Sequence, residues 1–113
     1  MARYIITGNY STDGIRGMLA SPSDREAAVK PLVEASGGKM ESYHVTLGDS
    51  DFCMHVSVES ADMEGLMAAL IVAGASGGVS NLKTVQAFTS HEFMAAQKRA
   101  GAMVAKFKAP NAS

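Results

Sequence analysis

The sequence has little of the material from which the commoner functional sites are built. Its 113 residues include one cysteine, which excludes an internal disulfide framework and any multi-cysteine zinc or iron–sulfur site. It lacks an excess of charge: ten Lys and Arg stand against eleven Asp and Glu. That removes the basic footprint of a general nucleic-acid binder. No apolar run approaches the roughly 20 residues that span a bilayer, so no membrane partner is expected. There is no Ser-His-Asp order and no paired-carboxylate site. The glycine-rich stretch 74–78 has no following Lys-Ser/Thr, which excludes a phosphate loop. The apolar stretch after Met1 is too short for a secretory leader, so the expected location is cytoplasmic.

What is present describes a folded domain. Apolar residues make up 47% and charged residues 19%, the balance of a globular chain with one core. The spacing predicts a single domain over residues 1–109 and a polar, frayed tail over 110–113. A strand is expected from Arg3 to Tyr10 and a short helix over 15–19. A second helix should start at a Ser23/Glu26 capping box, be kinked or broken at Pro31, and stop at Gly37-Gly38. Residues 39–47 and 52–58 read as a hairpin. A helix capped by Ser60 should bury Met63, Leu66, Met67, Leu70 and Ile71 on one face. A fourth strand over 82–88 and a terminal helix capped by Thr89 and Glu92 complete the chain. The order β-α-β-β-α-β-α predicts an α+β, ferredoxin-like βαββαβ fold. Its four-stranded antiparallel sheet has two helices on one face and a C-terminal helix in addition.

With Asp49-Ser50 as a two-residue turn, Tyr43, Val45 and Leu47 face Val56, Met54 and Phe52 on the helix-covered side. The other face then carries Ser42 against Ser57, His44 against His55, and Thr46 against Cys53. This makes His44 and His55 the candidate site: two opposed imidazoles able to share a metal, bind haem iron or hydrogen-bond a ligand. Two histidines hydrogen-bonded in an interface or a water-lined cavity are the more ordinary case. Cys53 lies diagonal to His44, as a soft ligand or an inert thiol. Along the first strand Arg3, Ile5, Thr7 and Asn9 alternate. Thr7 and Asn9 are placed on the same open face, with Arg16 near its rim. His91 reads as a surface residue, and the eight methionines as core filling.

Four stretches resemble the GYD domain family: Thr12-Asp13-Gly14-Ile15-Arg16, Gly37-Gly38-Lys39, Thr46-Leu47-Gly48 through Asp51-Phe52, and Leu82 to Thr89. Of the family's Gly-x-Tyr-Asp signature Gly48 and Asp51 match, and Ser50 stands where the tyrosine would be. The resemblance implies a dimeric α+β barrel in which two sheets close face to face, and it transfers no catalytic residues. Three functions follow as expectations. The first is a small homo-oligomeric protein binding a small molecule on the open sheet face, through His44, His55, Thr46, Cys53, Thr7, Asn9 and Arg16. The second is an enzyme of the dimeric barrel type, an oxygenase or isomerase, or a metal or haem protein using His44 and His55. The third is a purely structural oligomerisation module.

Overall fold

A computed structural model describes residues 1–59 and 61–111. The elements are β1 (Ala2–Tyr10), α1 (Thr12–Ala20), α2 (Arg25–Ala35), β2 (Gly38–Val45), β3 (Phe52–Val58), α3 (Met63–Ala75), β4 (Val79–Ala87) and α4 (Ser90–Met103), with a terminal 3-10 turn over Val104–Lys106. The four strands form one sheet in the order β2-β3-β1-β4, with all neighbouring pairs antiparallel. This is the ferredoxin-like arrangement, with the first connection split into two helices. Among the described residues no helix is long and apolar enough to cross a membrane.

The core lies between the sheet and the helices α2 and α3. Tyr4 and Ile6 of β1 and Phe52, Met54, Val56 and Val58 of β3 are buried there with Val33 of α2 and Leu66 of α3. Strand alternation then sends Arg3, Ile5 and Thr7, and Cys53, His55 and Ser57, to the opposite face. The helix boundaries come from local chemistry. Ser11 caps α1 by accepting from the Gly14 N–H. Gly37, at φ +87°, closes α2 in the left-handed conformation that glycine adopts without penalty.

Several local expectations are corrected. Asp24, not Ser23, caps α2, its carboxylate accepting from the N–H groups of Glu26 and Ala27. The helix then runs unbroken through Pro31. Both Pro31 and Ala27, whose carbonyl loses its partner, are exposed, which leaves that carbonyl open to solvent. Ser60 lies outside the described residues, as do the last two residues of the tail, and Asp62 holds the N-cap position of α3. On α3, Leu66 is buried, Leu70 packs beside the core, and the Met63 sulfur accepts from the Tyr4 hydroxyl at 2.9 Å, while Met67 and Ile71 turn outward. The cause is Gly65: a Cβ there would overlap the Ser36 carbonyl oxygen at the end of α2. The close approach therefore fixes the rotation of a helix whose apolar residues surround it.

The hairpin register is also corrected. The structure pairs Val45 with Phe52, His44 with Cys53, Tyr43 with Met54 and Ser42 with His55. The turn is the wider segment 46–51, closed by the Thr46 N–H donating to the Asp51 carbonyl at 2.8 Å. A bulge at Glu41 absorbs the extra residue on β2. Leu47 sits fully exposed in the loop. Because the slip is an even number of residues, the side chains of Ser42 to Val45 keep their faces, while the directly opposed histidine pair is lost.

The helix α4 stands away from the body. Its capping box is complete, the Thr89 hydroxyl accepting from the Glu92 N–H and the Glu92 carboxylate from the Thr89 N–H. All its residues are nonetheless exposed, Phe93, Met94 and Met103 included. The chain measures 63 × 30 × 22 Å.

Two outcomes follow. Gly65→Ala should cost about 1–3 kcal/mol, read as a lower urea midpoint, because backbone lies where the methyl would go; an unchanged midpoint would show the approach to be slack. The backbone and side-chain bonds from Thr89 hold the Glu92 carboxyl below the usual carboxylate range. Its help to α4 is therefore full above the ordinary carboxylate pKa and is lost as pH falls through the lowered one. Helical circular dichroism should decline over that acidic window in the parent, and Glu92→Ala should remove the step.

Candidate functional site

The open sheet face is built from alternate residues of all four strands. Lys39, Ser42 and His44 come from β2, Cys53, His55 and Ser57 from β3, Arg3, Ile5 and Thr7 from β1, and Lys83, Val85 and Ala87 from β4. Its apolar centre is the directly paired Ile5 and Val85, and Val85 is 57% exposed. Beside it is a hollow of about 290 Å³ lined by Arg3, Ile5, Glu41, His55 and Ala87. The Glu41 bulge creates this hollow by turning an acid onto the face, where its carboxylate accepts the buried Ser57 hydroxyl at 2.8 Å. Arg3 also reaches the exposed Glu92 of α4 at 3.6 Å, a pair of little energetic weight.

The expected site residues divide into three groups. Thr7, His44, Cys53 and His55 share the open face; His44 lies opposite Cys53, and His55 between Ser42 and Ile5. Thr46 opens the hairpin loop and Asn9, near the end of β1, reaches into it, and the polar groups of both are engaged there. The Thr46 hydroxyl donates to the Ser50 carbonyl at 2.6 Å. The Asn9 amide donates to the Asp49 carbonyl at 3.0 Å and to the Asp51 carboxylate at 3.2 Å, and accepts from Asn81 at 3.1 Å. Arg16 is exposed on α1 and does not line the hollow. Among the described residues no group of three or more His, Cys, Asp and Glu side chains is placed to hold a metal ion. Sequence reasoning missed Glu41 and Lys39, whose faces are set by a bulge, and Arg3 and Lys83 beside them, which alternation alone could have placed together.

The signature-like loop has a structural explanation. The Asp51 carboxylate accepts from the Tyr10 N–H at 2.9 Å, and the Asp51 N–H donates to the Gly8 carbonyl at 2.8 Å. Asp51 thus fastens the β2–β3 turn to the end of β1. Ser50, in the tyrosine's place, contributes its carbonyl to Thr46.

The model of the GYD domain matches residues 4–96. No curated protein matches the chain. Among solved structures, the crystal structure of a protein designated FFRP is similar at 15% identity and a TM-score of 0.49, over 78% of this chain and 100% of that one. That of TTHA0845 from Thermus thermophilus is similar at 17% identity and a TM-score of 0.45, over 80% of this chain and 96% of that one.

Asp51→Ala should free the loop from β1. The loss of bonds to a carboxylate predicts about 1–3 kcal/mol of destabilisation, with amide exchange speeding up first at Tyr10 and Thr46. Uniform acceleration across the sheet would instead assign Asp51 to global stability.

Proposed function

The chain belongs to the GYD domain family, and from that premise we propose that it is a small homodimeric binding protein. Two open sheet faces meet and enclose a small anionic ligand between them. The carrying observation is uncovered area. A compact monomer of 11.8 kDa exposes about 5,900 Å², whereas this chain exposes 7969 Å². Its radius of gyration is 18.4 Å, against about 13 Å for a compact chain of this length. The surplus is of the size that obligate dimers bury. It arises because helices cover the sheet on one face only, and the last helix, α4, does not cover the other.

The charge of that face supports the ligand class. Arg3, Lys39 and Lys83 are placed on it, against Glu41 on the face and Glu92 of α4 beside Arg3. Two such faces brought together repel each other unless an anion lies between them. Arg3 and His55 line the hollow that would hold it, together with Glu41, whose carboxylate accepts the Ser57 hydroxyl. His44, Thr7 and Cys53 complete the polar lining, and binding without turnover is the activity proposed. The single thiol at Cys53 suits a reducing, cytoplasmic setting.

Sedimentation equilibrium at micromolar concentration should give a dimer whose association tightens on adding citrate as a multivalent organic anion. Native mass spectrometry should detect small molecules retained by that dimer. Val85→Glu, in the middle of the face, should weaken association at least tenfold while circular dichroism stays unchanged. A stable monomer with and without citrate overturns the reading.

A further inference from the structure

We propose a second binding site, on the helix side of the sheet, for a compact apolar monocarboxylate such as a substituted aromatic or branched aliphatic acid. It does not rest on the dimer reading, because the opposite face of the sheet bears it.

The helices α2 and α3 lie over the sheet without closing against each other along their length. Between them is a cavity of about 210 Å³. Its floor includes Ile6 and Val56, and its walls Val29 and Leu32 of α2 and Leu66 and Leu70 of α3. Protein interiors are packed so densely that voids larger than a water molecule are few. A dry apolar cavity of about 150 Å³ already accepts benzene. This one therefore has room for a ring with a substituent, or for a branched chain of similar bulk, and water entering it would find few partners.

Two groups give the cavity a polar end. Arg25 opens α2 and lines the cavity half-buried. Among the described residues no carboxylate lies within ion-pair distance of it, and its hydrogen bond is a long one, 3.4 Å, to the Ser23 hydroxyl. Tyr43 lines the same cavity. Its ring stacks on Phe52 at 5.9 Å and 8°, and its hydroxyl pairs with that of Tyr10 at 2.7 Å. Either hydroxyl can donate to the other, and with Tyr10 as the donor the Tyr43 O–H is free to turn to an acceptor in the cavity. Burial pushes the Tyr43 phenol pKa up, and the positive charge of Arg25 acts in the opposite direction. The two groups therefore share one electrostatic neighbourhood, and the phenol remains a donor at neutral pH. The hydroxyls of Ser36 and Ser76 also line the space but are spent on the carbonyls of Val33 and Ala73.

An unpaired guanidinium and a phenol donor at the end of an apolar cavity select an acceptor-only, negatively charged head on an apolar body. A carboxylate satisfies both, since the guanidinium fork takes its two oxygens in parallel. An alcohol of the same shape fills the cavity and leaves Arg25 without its counter-charge.

The test is calorimetric titration of the full chain with 4-methylbenzoate and with 4-methylbenzyl alcohol, its neutral counterpart. The carboxylate should bind one per chain, at least tenfold more tightly than the alcohol. Arg25→Gln should bring it down to the alcohol's affinity. Ala73→Leu, or Ala69→Leu one turn earlier, should fill the cavity and abolish both, with circular dichroism checking each fold. Val85→Glu on the open face should leave both unchanged, so a failed dimer and a failed cavity are told apart. In the parent, nuclear Overhauser contacts should run from the ligand's methyl to those of Val29 and Leu70. Equal affinity for acid and alcohol overturns the charge recognition. No saturable binding at millimolar concentration, or contacts elsewhere, overturns the site.

Discussion

The alternation of side chains along β1 and β3 is the constraint on which the rest of this molecule depends. These two strands are central in the sheet. Burying Tyr4, Ile6, Phe52, Met54, Val56 and Val58 beneath the helices leaves the intervening residues no choice of side. The mixed face carrying Arg3, Ile5, Thr7, Cys53 and His55 is therefore a by-product of the core. Moving it would exchange that whole apolar set for polar groups, at about 1.5–3 kcal/mol for each large side chain exposed. The face is fixed as rigidly as the core, although little of its own chemistry holds it.

That constraint separates what was legible in the sequence from what was not. The faces of Thr7, His44, Cys53 and His55 depend on parity alone, and parity can be counted along a strand. The partner across from His44 depends on register, which two non-local features set. One is Asp51, bonded to Tyr10 and Gly8 of β1; the other is the bulge at Glu41. Neither leaves a local pattern, and Asp49-Ser50 looks like an ordinary tight turn until β1 is placed beside it. The rotation of α3 was hidden for a related reason. Its apolar residues surround the helix, so periodicity selected Met67 and Ile71 along with Met63, Leu66 and Leu70, which do turn to the core. Contact between Gly65 and the end of α2 decides the matter. The capping box at Thr89 and Glu92, by contrast, is entirely local, and it forms as its spacing predicts.

The cavity under the helices escaped the sequence for a third reason: volume is not written in any pattern. Its apolar lining residues are ordinary core residues by type and spacing. What distinguishes the site is the distance between two helices, set at one end by the close approach of Gly65 to Ser36. Small residues on the inner side of α3, Ala69 and Ala73, then leave space that a larger side chain would have filled.

The position of α4 is the least expected feature, and charge accounts for part of it. The chain through Ala87 carries six Lys and Arg against ten Asp and Glu, while the remainder carries four against one. Folding α4 back across its own open face would set Lys98, Arg99 and Lys106 against a surface that already holds Arg3, Lys39 and Lys83. At physiological ionic strength screening acts over about 8 Å, so cations lying flat on that face would feel one another fully. The N-terminal end of α4 escapes this: there Glu92 meets Arg3 and the capping box starts the helix without help from the body. The same distribution makes the helix anchored at its first turn, apolar along Phe93, Ala96, Ala100 and Met103, and basic beyond.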